Sequence, residues 1–143
     1  MATYAAACVQ EAGSGRLTPA TSVYFGGGTP SLLPAELLCS MLATVPRTPA
    51  AEVTVECNPE TVSASALEAY RAAGVTRLSF GVQSMVPHVL RSLGRAHDPE
   101  HVGRAVSLAR RVGFDTFNLD LIYGATGETL QDWEASLDAC LAL

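Results

Sequence analysis

The sequence predicts an α/β fold whose parallel sheet forms part of a β/α barrel. Segments rich in β-type residues alternate with helix-type segments along the chain. Each of the four β-type segments ends in a short polar motif. If these strands are parallel neighbours, their carboxyl ends open on one mouth, where α/β proteins bind ligands.

The predicted elements follow one another without a linker or low-complexity segment. Strands are predicted at Ser22–Phe25, Val53–Glu56, Thr76–Val82 and Thr116–Ile122. Helices are predicted from about Thr3 to Glu11, from Pro34 through Val45, from the N-cap Ser63 to Gly74, from Asp98-Pro99 to Gly113, and after Thr129, which forms a capping-box pattern with Asp132. On the last helix, one apolar stripe is predicted from Leu130, Trp133, Leu137 and Leu141.

Strand parity favours a barrel over a doubly wound sheet. The central strands of a doubly wound sheet are covered on both faces and read as nearly continuous apolar runs. Here one face is apolar, with Val53, Val55, Leu78, Phe80, Val82, Phe117, Leu119 and Leu121. The other face is polar, with Thr54, Glu56, Asn58, Ser79, Gly81, Gln83, Asn118 and Asp120. A polar face repeated across parallel strands is expected where a closed or partial barrel surrounds a ligand-bearing lumen.

Composition narrows the function classes. The chain has 143 residues, enough for one domain, and a net charge of −5. All nine of its cations are arginine, which argues against a surface that tracks nucleic-acid phosphates. No apolar stretch reaches the roughly 20 residues of a membrane span.

The four cysteines are expected to be reduced thiols in a cytoplasmic protein. Cys8, Cys39, Cys57 and Cys140 form no CxxC or CxxxCxxC cluster, and no signal peptide is evident at residues 1–7. Cys39 and Cys140 fall on predicted helices, where a buried structural role is expected. His97 and His101 have the spacing of a zinc pair, but Pro99 suits a first helical position and leaves His97 outside that helix. No metal site is therefore predicted.

The motif from Gly26 to Pro30 is a candidate binding loop. It lacks the Gly-Lys of a Walker A loop, and Ser31 replaces the last glycine of GxGxxG. Three glycines expose backbone whose carbonyls can accept from an ammonium group. A simple flexible turn is the alternative.

Three polar side chains at or near the strand ends, and an arginine between the third strand and the next helix, are further candidates. Glu56 and Asp120 point into the proposed lumen, where each carboxylate needs a cation, a hydroxyl or an arginine as partner. Gln83 offers both a donor and an acceptor, and Arg95 can clamp a carboxylate. Two alternatives stay open: the carboxylates pair only with arginines of the barrel, and Arg95 is a solvated surface residue.

Taken together, these motifs resemble the radical SAM proteins related to oxygen-independent coproporphyrinogen III oxidase, and most closely their haem chaperone (HemW) branch. Five motifs carry the resemblance, in order: Phe25–Leu33 (FGGGTPSLL), Glu56–Glu60 (ECNPE), Arg77–Ser84 (RLSFGVQS), Leu93–His97 (LGRAH) and Asn118–Gly124 (NLDLIYG). They extend over nearly everything after Ser22.

The resemblance implies a partial barrel that holds S-adenosylmethionine over a [4Fe-4S] cluster. By position, Gly27, Gly28 and Thr29 would receive the methionyl ammonium group, and Glu56, Gln83, Arg95 and Asp120 would also contact S-adenosylmethionine. Relatives cleave this cofactor to a 5′-deoxyadenosyl radical. The oxidase branch uses the radical on coproporphyrinogen III, whereas the chaperone branch binds and delivers haem. The resemblance does not decide between the two branches.

The chain also departs from the family pattern. Relatives carry CxxxCxxC upstream of the glycine-rich motif, and three thiolates at that spacing are absent here. Ala125 stands where a proline is expected after Tyr123-Gly124. Residues 1–143 are therefore expected to be an incomplete radical SAM core domain, also without the C-terminal domain, and inactive alone.

Two other functions stay open at this point. One is a standalone module that binds S-adenosylmethionine or a porphyrin without radical chemistry. The other is an unrelated barrel enzyme acting on a small polar substrate, which would need a metal or a catalytic pair not found in the sequence. The expected partners are the cofactor, a porphyrin or haem, and a haem-accepting protein if the chain is of the chaperone branch, with no nucleic acid and no membrane span.

Overall fold

The computed structural model describes residues 1–15, 18–95 and 98–143. Its strands are β1 (Ala20–Phe25), β2 (Arg47–Cys57), β3 (Arg77–Gln83) and β4 (Phe117–Leu121). Its α-helices are α1 (Ala2–Ser14), α2 (Ala35–Thr44), α3 (Ala64–Ala73), α4 (Pro87–Ser92), α5 (Pro99–Val112) and α6 (Leu130–Leu141). A 3-10 helix, Pro30–Leu32, follows the glycine-rich loop. None of the helices in these ranges is long and apolar enough to cross a membrane.

The four strands form one parallel sheet in the sequential order β1-β2-β3-β4. A doubly wound sheet reverses its strand order, and this sheet does not. The helices lie side by side, α1 against α2, α2 against α3 and α3 against α5. This arrangement confirms the predicted partial β/α barrel, and the doubly wound alternative is wrong.

Strand register separates an apolar face from a polar face. Val55 lies opposite Leu78, which lies opposite Phe117, and in the next apolar row Phe80 lies between Cys57 and Leu119. These rows belong to a core that also takes buried side chains from α1, α2, α3 and α5. On the other face Glu56, Ser79 and Asn118 form one row, and Gly81 lies opposite Asp120. The predicted parity is confirmed.

Four of the predicted helix boundaries are confirmed by their caps. The Ser63 hydroxyl accepts from the backbone N–H of Ala66, and Thr129 forms a capping box with Asp132. Gly74 and Gly113 end α3 and α5 with a φ of 95°, a left-handed conformation that glycine adopts without steric cost.

Only the middle of the apolar stripe predicted on α6 is partly buried. Leu130 and Leu141 are 73% and 84% exposed, and the buried residue of this helix is Ser136. Ser136 Oγ lies 3.1 Å from Ser84 Oγ and accepts from the backbone N–H of Met85 at 3.1 Å. Hydroxyl hydrogen bonds to the end of β3, which helical periodicity does not reveal, therefore help to dock α6.

Other differences are smaller. β2 begins at Arg47, well before the predicted Val53, and the six-residue helix α4 was not predicted. Cys39 and Cys140 are half-buried rather than fully buried. The expected absence of a zinc pair involves His97, which lies outside the described residues.

Arg47 joins two βα units at the amino ends of the strands. Its Nη1 donates to the carbonyl of Leu42 at 3.0 Å, and its Nη2 donates to the carbonyl of Ala73 at 3.2 Å. These carbonyls belong to the last turns of α2 and α3, where backbone acceptors lack helical partners. One guanidinium therefore caps two neighbouring helices.

Tyr70 gives a stability prediction. The residue is fully buried, and within the part of the chain described its hydroxyl has no hydrogen-bond partner. Burial raises the pKa of Tyr70 from 10.0 to about 12. An unpaired buried hydroxyl is destabilising, so we expect Tyr70→Phe to leave the free energy of unfolding unchanged or to raise it by about 1 kcal/mol.

Denaturant melts at pH 7 and above pH 10 test this. An unfolded tyrosine ionises near pH 10 and the folded one does not, so the stability contributed by Tyr70 falls as pH rises from about 10 to 12. In the phenylalanine variant, the free energy of unfolding should decrease less over this pH range, because the ionisation of Tyr70 no longer contributes. A loss of more than about 1 kcal/mol at pH 7 would show instead that the hydroxyl has a partner.

Candidate functional site

The carboxyl ends of all four strands border one cavity of about 220 Å³. Its lining is mostly polar and comes from the loop after β1, from the ends of β2, β3 and β4, and from the turn after α4. The lining residues are Gly27, Gly28, Thr29, Glu56, Cys57, Asn58, Ser79, Gly81, Gln83, Arg95 and Asp120. In parallel α/β folds this is the edge of the sheet at which ligands bind.

The glycine-rich loop forms the wall of the cavity next to β1. Gly27 has a φ of 112°, which side chains other than glycine rarely adopt. No atom lies within 4 Å of where a Cβ of Gly27 or Gly28 would stand, so the backbone there is open to a ligand. Ser31 Oγ accepts from the backbone N–H of Asn58 at 3.0 Å and ties the segment after the loop to the end of β2.

Glu56 projects from the end of β2 and is half-buried. Its Oε1 accepts a hydrogen bond of 2.7 Å from the hydroxyl of Tyr24 on β1. Among the described residues, Arg77 pairs with Glu52 and His88 contacts Asp132, and no arginine pairs with Glu56. Within the described part of the chain, the alternative in which Glu56 only balances a barrel arginine therefore has no support.

Asp120 is held by neutral donors rather than by a cation. Ser79 Oγ donates to its Oδ2 at 2.8 Å, and Asn118 Nδ2 donates to its Oδ1. Across the described residues no arginine pairs with Asp120 either. As far as the described residues extend, the two carboxylates of the cavity have no ion-pair partner, an arrangement suited to a ligand that brings positive charge or hydroxyl donors.

Gln83 ends β3 in a left-handed conformation. Its φ is 68°, and it is the one non-glycine residue with positive φ among those described. The pairing of β3 with β4 shifts register between Gly81 and Gln83, and the Gln83 carbonyl accepts from the N–H of Ile122 at 2.9 Å. A Cβ on Gly81 would lie 2.9 Å from Gln83 Nε2, so the amide folds back across the glycine. Such backbone costs about 1 kcal/mol or more and is common at ligand sites.

Arg95 reaches the cavity from the turn after α4. Gly94 turns the chain with a φ of 67°, and the Arg95 N–H donates to the carbonyl of Leu90 at 2.9 Å. The side chain is exposed and also lines the cavity, so the alternative of a solvated surface residue stays open. Among the described residues that line the cavity, Arg95 is the one with a cationic side chain, and its guanidinium can bind a carboxylate through two nitrogens.

The structure brings all the predicted site residues to one cavity: Gly27, Gly28, Thr29, Glu56, Gln83, Arg95 and Asp120. That they bind a cofactor stays a prediction. Sequence reasoning missed Tyr24, whose signal was its parity: register places it opposite Thr54, on the face that carries Glu56.

The cysteines do not fit an iron-sulfur cluster. Cys57 lines the cavity, but it is 3% exposed and burial raises the pKa of its thiol to about 12. Across residues 1–15, 18–95 and 98–143, no three His, Cys, Asp or Glu side chains lie close enough to hold a metal ion. A [4Fe-4S] cluster needs three or four thiolates together.

Comparison with known proteins identifies the family. The family model described as "Radical SAM superfamily" matches residues 5–140. The haem chaperone HemW of Mycobacterium tuberculosis is 45% identical over 124 residues, which cover 84% of this chain and 32% of that protein. The oxygen-independent coproporphyrinogen III oxidase of Bradyrhizobium diazoefficiens is 37% identical over 120 residues, covering 81% of this chain and 27% of that protein.

A solved structure agrees with these matches. Coproporphyrinogen III oxidase (HemN) from Escherichia coli superposes with a TM-score of 0.86 at 26% identity, covering 99% of this chain and 35% of that one. The chain thus spans about a third of the length of the relatives it matches. The shared sheet and the family match over residues 5–140 place the chain in the Radical SAM superfamily.

Proposed function

We propose that this chain supplies the S-adenosylmethionine-binding face of a radical SAM protein related to HemW and the coproporphyrinogen III oxidases. One observation carries the proposal: the seven residues proposed for cofactor binding, although far apart in sequence, line the same cavity.

The donor set of the cavity matches the chemistry of this cofactor. S-adenosylmethionine carries an ammonium group, a carboxylate, a sulfonium and the two hydroxyls of its ribose. The Gly27–Thr29 loop would receive the ammonium group, and Arg95 would take the carboxylate. Glu56 and Asp120 would accept from donors of the ligand and offset its positive charge, and Gln83 can both donate and accept.

When bound, S-adenosylmethionine supplies a sulfonium that an electron donor can cleave reductively, and the protein supplies binding and orientation. In relatives that electron comes from a [4Fe-4S] cluster, for which the described residues do not provide a fitting set of ligands. The proposal also extends to a whole protein that contains this chain. Because the relatives are named as haem chaperones and coproporphyrinogen III oxidases, we propose that such a protein acts on a porphyrin or binds haem and delivers it to an accepting protein.

A second candidate is a module that binds S-adenosylmethionine without radical chemistry. The observation that favours it is the separation of the cysteines described above. The two candidates share the cavity and differ only in whether a cluster is assembled beside it.

Calorimetric titration of the 143-residue chain with S-adenosylmethionine tests the shared claim. We expect saturable binding that Glu56→Ala weakens about 10-fold to 100-fold, because a bond to a charged group contributes about 1.5–3 kcal/mol. Glu68→Ala, on an exposed position of α3, is the matched control and should leave the affinity unchanged. Absence of binding, or equal effects of the two substitutions, would contradict the proposal.

A further inference from the structure

Tyr24 is an aromatic residue on the polar face of the sheet. The other aromatic strand residues, Phe25, Phe80 and Phe117, belong to the apolar core or pack against it, whereas Tyr24 is 58% exposed. Register places it opposite Thr54 on β2, two residues before Glu56. The ring therefore lies beside the proposed cofactor cavity without belonging to the core.

Gly26 provides the space for this ring. A Cβ at Gly26 would lie 2.5 Å from Tyr24 Cε1 and 3.3 Å from the carboxyl carbon of Glu56. Protein carbons do not approach one another so closely, so any larger residue at this position would displace the tyrosine. The glycine, the ring and the carboxylate form one packed unit at the edge of the cavity.

The Tyr24 hydroxyl donates to Glu56 Oε1 at 2.7 Å, a distance typical of a strong O–H···O bond to a carboxylate. A glutamate side chain on its own has several rotamers, and ordering it on ligand binding costs conformational entropy. The tyrosine fixes one oxygen in advance, and Oε2 remains for a ligand.

The protonation state of the tyrosine suits this role. The hydrogen bond to Glu56 is the largest cause that raises the pKa of Tyr24, and the charges of Glu56 and Asp120 act in the same direction. The hydroxyl therefore keeps its proton, and remains a donor, across the neutral pH range.

We propose that Tyr24 is a positioning residue that acts through Glu56: its hydroxyl holds the Glu56 carboxylate in the orientation that receives S-adenosylmethionine. This inference rests on the proposed function. It assigns a role to a residue outside the predicted binding set and explains why Gly26 precedes the loop that lines the cavity.

A double-mutant cycle tests the inference. The affinity of the 143-residue chain for S-adenosylmethionine is measured by calorimetry with Tyr24→Phe, Glu56→Gln and the two combined. We expect Tyr24→Phe alone to weaken binding about 10-fold, and to have little further effect once Glu56→Gln is present, because residues in one hydrogen-bonded unit are not additive. Tyr4→Phe removes the hydroxyl of another exposed tyrosine, on α1, and should leave the affinity unchanged.

A second readout does not depend on the ligand. Tyrosinate absorbance followed against pH, as the difference between the chain and its Tyr24→Phe variant, isolates the ionisation of Tyr24. Glu56→Gln should move that ionisation toward lower pH, because the largest cause of the raised pKa is removed. Thermal melts of the single variants should coincide with that of the unsubstituted chain.

The outcomes are distinguishable. Binding that Glu56→Gln weakens but Tyr24→Phe does not, or additive effects of the two, would overturn the role of Tyr24 and leave the proposed function standing. An unsubstituted chain that binds no S-adenosylmethionine would overturn both. An unshifted Tyr24 titration in Glu56→Gln would show that the two side chains are not coupled, which also overturns the inference.

Discussion

Phe80→Ala is expected to destabilise the fold by about 3–5 kcal/mol, the range for removing a buried phenylalanine side chain. Phe80 is fully buried and lies on β3, between Cys57 of β2 and Leu119 of β4. Its ring packs in the core between the sheet and the helices. Domains are commonly stable by only about 5–15 kcal/mol, so this one substitution removes a large share.

Guanidinium melts followed by circular dichroism measure this effect. Leu130→Ala is the matched control: it also shortens an apolar side chain, but Leu130 is 73% exposed, so its effect should stay within about 0.5 kcal/mol. If Phe80→Ala does not fold, Phe80→Leu should, with a smaller loss because the cavity is smaller. Similar losses for Phe80→Leu and Leu130→Ala would contradict the assigned core.

Anaerobic reconstitution of this chain with iron and sulfide is expected to yield no stable cluster absorbance. A cluster requires deprotonated thiolates held together, and the thiols of Cys8, Cys39, Cys57 and Cys140 are dispersed over α1, α2, β2 and α6. Burial raises the pKa of Cys57, the cysteine at the cavity, to about 12, so at neutral pH it is a protonated thiol that donates to the Val55 carbonyl.

Iron and sulfide content, measured after gel filtration, accompanies the absorbance. Cys57→Ala controls for adventitious binding and should give the same low content as the unsubstituted chain. The prediction would be contradicted by a stoichiometric cluster whose spectrum responds to S-adenosylmethionine and which Cys57→Ala removes. That result would favour radical chemistry by this chain alone.

Much of the cavity could be predicted because strand parity is a local property. Glu56 and Asp120 each follow a polar residue of their own strand by two positions, and Gln83 follows Ser79 by four. The alternation alone therefore assigns them to the polar face. The loop at Gly27 is likewise evident from its composition. Arg95 lies outside any strand, so parity could not assign it; its chemistry made it a candidate, and the resemblance to a family supplied its expected role.

The rest depends on contacts between distant segments. The hydrogen bond from Tyr24 to Glu56 depends on the register in which β1 and β2 pair. That register cannot be read directly from a single sequence. The left-handed Gln83 is set by a shift in the pairing of β3 with β4. Ser136 was missed because hydroxyl hydrogen bonds to the end of β3, rather than apolar periodicity, help to dock α6.

The Arg47 clamp has a consequence for engineering this scaffold. Arg47 begins β2 and Glu56 lies near its end, nine residues later. Arg47 and Val55 pair with Ala20 and Phe25, five residues apart on β1, so Arg47 and Glu56 lie roughly 20 Å apart. The guanidinium connects helices at the amino ends of the strands, whereas the proposed ligand-binding residues lie at the carboxyl ends. Stability and ligand binding can therefore be altered independently. New helix caps or proline substitutions at the amino ends of the strands should raise stability without changing the residues that bind the ligand.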